Sequence, residues 1–147
     1  MQLHYQSVGQ GQPLILLHGL FGSADNWGVV AKHFSTYYQV ISVDLRNHGR
    51  SPHHDRQDYT LMAEDLLELC DALNLDATLL LGHSMGGKVA IQFAAQYPKR
   101  VDQLVIVDMA IRSYADVQTY LIDAMMAADL SVMRHRRDVD QPPQQHH

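Results

Sequence analysis

The chain has 147 residues, 46% of them hydrophobic and 18% charged, with a formal net charge of −5. That length suits one domain burying roughly two-thirds of the surface its unfolded chain would expose, and the composition is globular rather than disordered. The negative balance speaks against a nucleic-acid partner, because phosphate binding needs a concentrated cationic face.

Taken in chain order, apolar runs of strand length alternate with helical periods, which predicts a mostly parallel sheet with crossover helices. Residues 3–8 predict a first strand, ended by Gly9, Gly11 and Pro13. Residues 14–17, Leu-Ile-Leu-Leu, are continuously apolar, as expected of a strand buried on both faces. A helix follows from about 25 to 34, with Ser23 or Asp25 available as N-cap. Residues 40–43 predict the next strand and 44–52 the loop that leaves it.

From Thr60 the period changes. Met62, Leu66, Leu69, Cys70 and Leu73 make one apolar helical stripe, with Asp65, Glu68 and Asp71 expected on the other side. Residues 78–81 predict a strand, 85–97 a helix stopped by Pro98, and 104–107 a further strand. Another helix is expected over about 114–130. Beyond Met133 the composition turns polar, with Val139 the one aliphatic residue. The sequence therefore predicts a domain over 1–133 and a disordered, solvated tail over 134–147.

Cys70 is the one cysteine, which excludes an internal disulfide and fits a reducing compartment. The first residues carry no cationic leader, and no apolar run approaches the length of a bilayer span. The expectation is a cytoplasmic protein with no membrane partner.

The sharpest chemical signal is Gly82-His83-Ser84-Met85-Gly86, a G-x-S-x-G between an apolar strand and a helix. A serine on such a turn is held in a strained conformation with its hydroxyl exposed at the sheet edge, as a nucleophile must be. The helix that follows aims its positive N-terminal end and free amides at the place where an oxyanion develops. His83 is adjacent to Ser84 but points elsewhere at so sharp a turn, so it reads as a packing or pocket residue rather than the base.

His18-Gly19-Leu20-Phe21-Gly22-Ser23 ends the strand at 14–17 and opens on the same carboxyl edge of a parallel sheet. A loop amide there, that of Leu20 first, pairs with the amide of Met85 as a candidate oxyanion hole. Phe21 is the next candidate for that amide, or lines an acyl pocket with His18 and Gly19. The third segment, residues 44–52, carries Asp44 and Arg46 two positions apart, which suits a loop held by an internal ion pair. The functional alternative for this loop is substrate contact by Arg46, Asn47 or His48.

Together HGLFGSADNW, DLRNHGRS, GHSMGGKVA and LVIVDMA resemble the α/β-hydrolase superfamily and, more narrowly, the bacterial YbfF-type esterases, over about residues 1–125. The resemblance implies a hydrolase of small acyl esters or thioesters with a Ser-His-acid triad and no metal or organic cofactor. By motif it makes Ser84 the nucleophile. In the YbfF-like group the acid follows the strand after the serine helix, which implies Asp108; the family's alanine-proline pair after it is here Ala110-Ile111.

The family histidine lies on a loop after the final strand, and a complete domain of this kind is about 250 residues. The histidines after Asp108 are His135, His146 and His147, all in the polar tail. The expectation is thus a truncated α/β-hydrolase fold lacking its last core strands, its lid and the usual catalytic histidine. Its exposed last strand would be an edge open to self-association. The alternative is a non-catalytic ligand-binding or interaction module that keeps the pocket.

Overall fold

The computed structural model describes residues 1–107, and its elements follow the apolar runs. The strands are β1 (Tyr5–Val8), β2 (Gln12–Leu17), β3 (Tyr38–Val43), β4 (Thr78–His83) and β5 (Val101–Val107), in the sheet order β1-β3-β2-β4-β5. β1 runs antiparallel to β3, and the remaining neighbours are parallel. From β2 onward the connections are helical: α1 (Gly28–Phe34), α2 (Tyr59–Ala72) and α3 (Met85–Gln96).

The continuous aliphatic character of β2 has a direct cause in this topology. Leu14 and Leu16 pack with Trp27, Val30 and Phe34 around α1. Ile15 and Leu17, one residue out of phase, pack with Met62, Leu66, Val89 and Phe93 from α2 and α3. A strand covered on both faces has no polar side to show.

Local chemistry sets the element ends. The helix expected from about 25 begins instead as a 3-10 turn, Ala24–Trp27, before α1. Asn26 returns its side-chain oxygen to the Ser23 amide at 2.7 Å, the reciprocal half of a capping box that starts this turn at Ser23. Asp58 caps α2 by accepting from the Leu61 amide at 2.8 Å. Asn74, at φ 57, reverses the chain after α2, and the Leu75 amide donates to the Cys70 carbonyl at 2.9 Å. β1 begins at Tyr5 rather than residue 3, because Leu3 leaves the sheet edge to join the core beneath α2. The expected helix at 114–130 and the tail at 134–147 lie outside the described residues.

The path of the chain places the site. From β2 the chain crosses by α1 on one face of the sheet, whereas α2 and α3 cover the other. Adjacent strands β2 and β4 therefore send their following connections to opposite faces. Such a switch point leaves a crevice at the carboxyl ends of the two strands, where α/β proteins take their ligands.

Candidate active site

Ser84 is the single residue between β4 and α3, with φ 54 and ψ −117. A non-glycine residue there carries about 1–3 kcal/mol of strain and persists only where its surroundings over-determine it. They do so here: the Ser84 amide donates to the Val107 carbonyl at 3.0 Å, and its carbonyl accepts from the Lys88 amide at 3.2 Å. The residue is exposed even though its neighbours on both sides are buried. The flanking glycines permit this approach. A β-carbon on Gly86 would lie 2.6 Å from the His18 carbonyl oxygen, and one on Gly82 would lie 2.7 Å from Gly87 Cα. The first turn of α3 can thus sit directly over the ends of β2 and β4.

The loop after β2 meets Ser84 from the other side. The Gly22 amide donates to the Gly19 carbonyl at 3.0 Å, closing a turn with Leu20 and Phe21 at its centre. Phe21 has φ 63, the sign that the third residue of a type II turn requires, although glycine is the usual occupant. Leu20 is 52% exposed and Phe21 91%. A β-carbon on Gly19 would lie 3.0 Å from His83 Nδ1 and 3.4 Å from Ser84 Cβ, so the turn rests against the serine segment.

Beneath that turn His18 is fully buried. The Leu45 amide donates to its Nε2 at 3.1 Å, so Nδ1 carries the proton and donates to the Gly19 carbonyl at 2.7 Å. Burial pushes its pKa down to about 4, with the nearby His48 and His83 rings acting in the same direction. A ring with both nitrogens committed ties the loop after β2 to the loop after β3. His18 and buried His83 therefore form the floor under Gly19, while Leu20 and Phe21 border open space.

The loop after β3 departs from expectation. Asp44 and Arg46 do not pair with each other. Asp44 accepts from the Ala24 amide at 2.7 Å and the Arg50 amide at 3.1 Å, and bonds His4 Nδ1 at 2.8 Å. Burial raises its pKa, but those donors outweigh burial and hold it below the ordinary carboxylate value. Arg46 instead makes a two-pronged bond to Asp65, Nε to Oδ2 at 2.7 Å and Nη2 to Oδ1 at 2.9 Å. Asp65 consequently lies buried among the apolar positions of α2, not on its polar side. The planar guanidinium fork fits both carboxylate oxygens, which the occupied Asp44 could not offer.

This loop nevertheless lies beside the Leu20–Gly22 turn. An open cavity of about 370 Å³ is walled by the Leu20–Gly22 turn, by Asn47, His48 and Gly49, and by Gln57. Of the loop's three candidates for substrate contact, Asn47 and His48 line the cavity, while Arg46 is consumed by Asp65. Gln57 carried no sequence signal, lying in a polar stretch with no period, and the Asn47 amide at 3.0 Å brings it in.

Asp108 lies outside the described residues, directly after Val107, whose carbonyl holds Ser84. Among the described residues, no histidine ring is hydrogen-bonded to the Ser84 hydroxyl, no cluster of three or more His, Cys, Asp or Glu could hold a metal, and no helix is long and apolar enough to cross a membrane.

A parallel sheet with this switch point and a strained serine at its crevice defines a class of protein, and comparison with known proteins agrees. The chain belongs to the alpha/beta hydrolase fold family, which matches residues 12–137. It is 48% identical over 101 residues to a protein of Haemophilus influenzae named as an esterase/lipase, covering 69% of this chain and 35% of that one. It is 42% identical over 109 residues to Esterase YbfF of Escherichia coli, covering 74% of this chain and 43% of that one. The structure of a marine microorganism esterase superposes with a TM-score of 0.72 at 38% identity, covering 99% of this chain and 59% of that one. The chain thus spans between about a third and a half of the length of these curated relatives.

Proposed function

We propose that this chain carries the nucleophile half of a serine esterase acting on small acyl esters or thioesters. The observation that carries the reading is Ser84, exposed and strained at φ 54 at the mouth of the β2/β4 crevice. Strain held in place by hydrogen bonds at both ends of one exposed serine has no value for packing.

In this reading the Ser84 Oγ attacks the acyl carbon, and its proton passes to a histidine outside the described residues. The tetrahedral oxyanion rests on the amides of Leu20 and Met85. Met85 is the first residue of α3, so its amide has no acceptor within the helix, and the helix end favours negative charge. Collapse expels the alcohol or thiol, which takes the proton from that histidine. Water, deprotonated by the same base, then releases the acid and restores Ser84. Asp108 is the proposed orienting acid. It follows Val107 directly in the sequence, and Val107 is the residue whose carbonyl accepts from the Ser84 amide at 3.0 Å. Cytoplasmic residence and self-association through the β5 edge complete the reading.

The test is hydrolysis of a short p-nitrophenyl ester by the chain and by its Ser84→Ala variant. Serine-dependent turnover that falls at least about 1,000-fold in Ser84→Ala is the supporting result, and it requires one of His135, His146 or His147 to act as the base. Binding of the ester with equal background rates in both proteins would favour a ligand-binding module instead.

A further inference from the structure

The cavity beside Leu20 has a chemistry of its own. None of its described lining residues is charged, so no group there would repay the desolvation of a carboxylate or phosphate. Its polar handles are few, because most of the polar side chains around it are already used. Asn47 spends its carbonyl oxygen on the His54 amide at 2.7 Å and its amide nitrogen on Gln57 Oε1 at 3.0 Å.

Two handles remain. His48 is anchored through Nδ1, which lies 2.9 Å from the Arg46 carbonyl oxygen. A carbonyl oxygen can only accept, so Nδ1 bears the proton, and in the neutral ring Nε2 is left as an acceptor. Gln57 offers its Nε2 hydrogens, whose neighbour is Met85 Sδ at 4.0 Å, a weak acceptor. Among the side chains, one acceptor and one donor on an uncharged wall match a single hydroxyl, which donates and accepts at once.

We infer that this cavity selects esters bearing a free hydroxyl, with His48 Nε2 accepting from that hydroxyl and Gln57 Nε2 donating to it. The inference rests on the esterase reading for its ligand class, and it names His48 as a specificity-determining residue. The wall that presents the ring is stiff. Asn47 at φ 67 and Gly49 at φ 52 bend the loop around His48, and Asp44 pins it through the Arg50 amide.

The experiment measures binding, not turnover. Chemical-shift titrations of the Ser84→Ala chain compare ethylene glycol monobutyrate with propyl butyrate, in which a methyl replaces the hydroxyl on the alcohol side. Ethyl lactate and ethyl isobutyrate make the same exchange on the acyl side. A preference of about five- to tenfold for the hydroxylated member of one pair, with shifts at residues 20–22 and 47–49, is expected from one or two neutral hydrogen bonds. Which pair shows it tells which side of the ester enters the cavity. Equal affinities within both pairs overturn the inference.

Two substitutions separate presentation of Nε2 from mere support of the loop. His48→Asn keeps an N–H that can reach the Arg46 carbonyl but has no atom at the Nε2 position, and it should lower the preference to less than about twofold. His48→Gln loses the anchor yet places an amide oxygen near the Nε2 position, and should keep most of it. The reverse order would show a structural role only and overturn the assignment. Hydroxyl preference without hydrolysis by the unsubstituted chain would sink the esterase reading and leave the cavity's selectivity standing. Hydrolysis without preference would do the opposite.

Discussion

The Ser84 amide donates to the Val107 carbonyl at 3.0 Å, so the residue between β4 and α3 is held by the end of β5 as well as by its own helix. This bond, with the one from Lys88, keeps a serine at φ 54, where a side chain is unwelcome. Ser84→Gly should therefore raise the stability of the chain by about 1 kcal/mol, because glycine occupies that region without steric cost. Ser84→Ala should show no such gain. Urea midpoints of the three proteins check this, and equal midpoints for Gly and Ala would mean that no strain is stored there.

The Arg46–Asp65 pair is buried on both sides. Asp65→Asn leaves the guanidinium charge without its counter-ion and should cost about 3–5 kcal/mol. The double change Arg46→Met with Asp65→Leu should recover most of that loss, since an apolar pair of similar volume needs no compensation. Guanidinium denaturation of the single and double variants gives the coupling directly. A double variant as unstable as Asp65→Asn would refute the argument.

Asp44 gathers the Ala24 and Arg50 amides and the His4 ring onto one carboxylate. With its pKa held below the ordinary 3.8, its contribution is present above that value and is lost as pH falls through and below it. Asp44→Asn, which keeps one accepting oxygen, should cost about 2–3 kcal/mol at neutral pH. The gap between variant and parent should narrow as the pH drops below 3.8. A constant gap would show that the loss is one of shape rather than charge.

His18 gives an acid sensitivity of a different kind. Its folded pKa of about 4 lies below the ordinary 6.5, so the unfolded chain binds its proton first. Stability from this ring is complete above 6.5, falls as the pH is lowered, and levels off below about 4. A displacement of that size corresponds to about 3 kcal/mol. His18→Gln, which can still accept from the Leu45 amide, should be less stable at neutral pH but lose about 3 kcal/mol less than the parent over that window. Parallel pH profiles for the two would remove His18 as the cause.

Much of this molecule was legible in one dimension. The aliphatic run at 14–17, the stripe from Met62 to Cys70 and the stop at Pro98 report local backbone preference and burial, which neighbouring residues encode. For the same reason the G-x-S-x-G could be placed between a strand and a helix, and its serine in a strained turn, without any long-range information.

Side-chain partners across the chain were not legible. Asp65 reads as one more acid on a helix surface until Arg46, 19 residues earlier, is brought against it. Asp44 reads as the partner of Arg46 until His4, 40 residues away, and two backbone amides fill its lone pairs. His18 reads as a pocket residue until the end of β3 delivers the Leu45 amide to its ring, and Gln57 reads as nothing at all until Asn47 draws it to the cavity. The sequence by itself determined the order of strands and helices and the position of the serine, because periodicity and turn chemistry act within a few residues. Only the tertiary structure decided which polar groups are buried, paired or left facing the crevice, because satisfying a buried charge or donor depends on atoms that the fold brings from elsewhere in the chain.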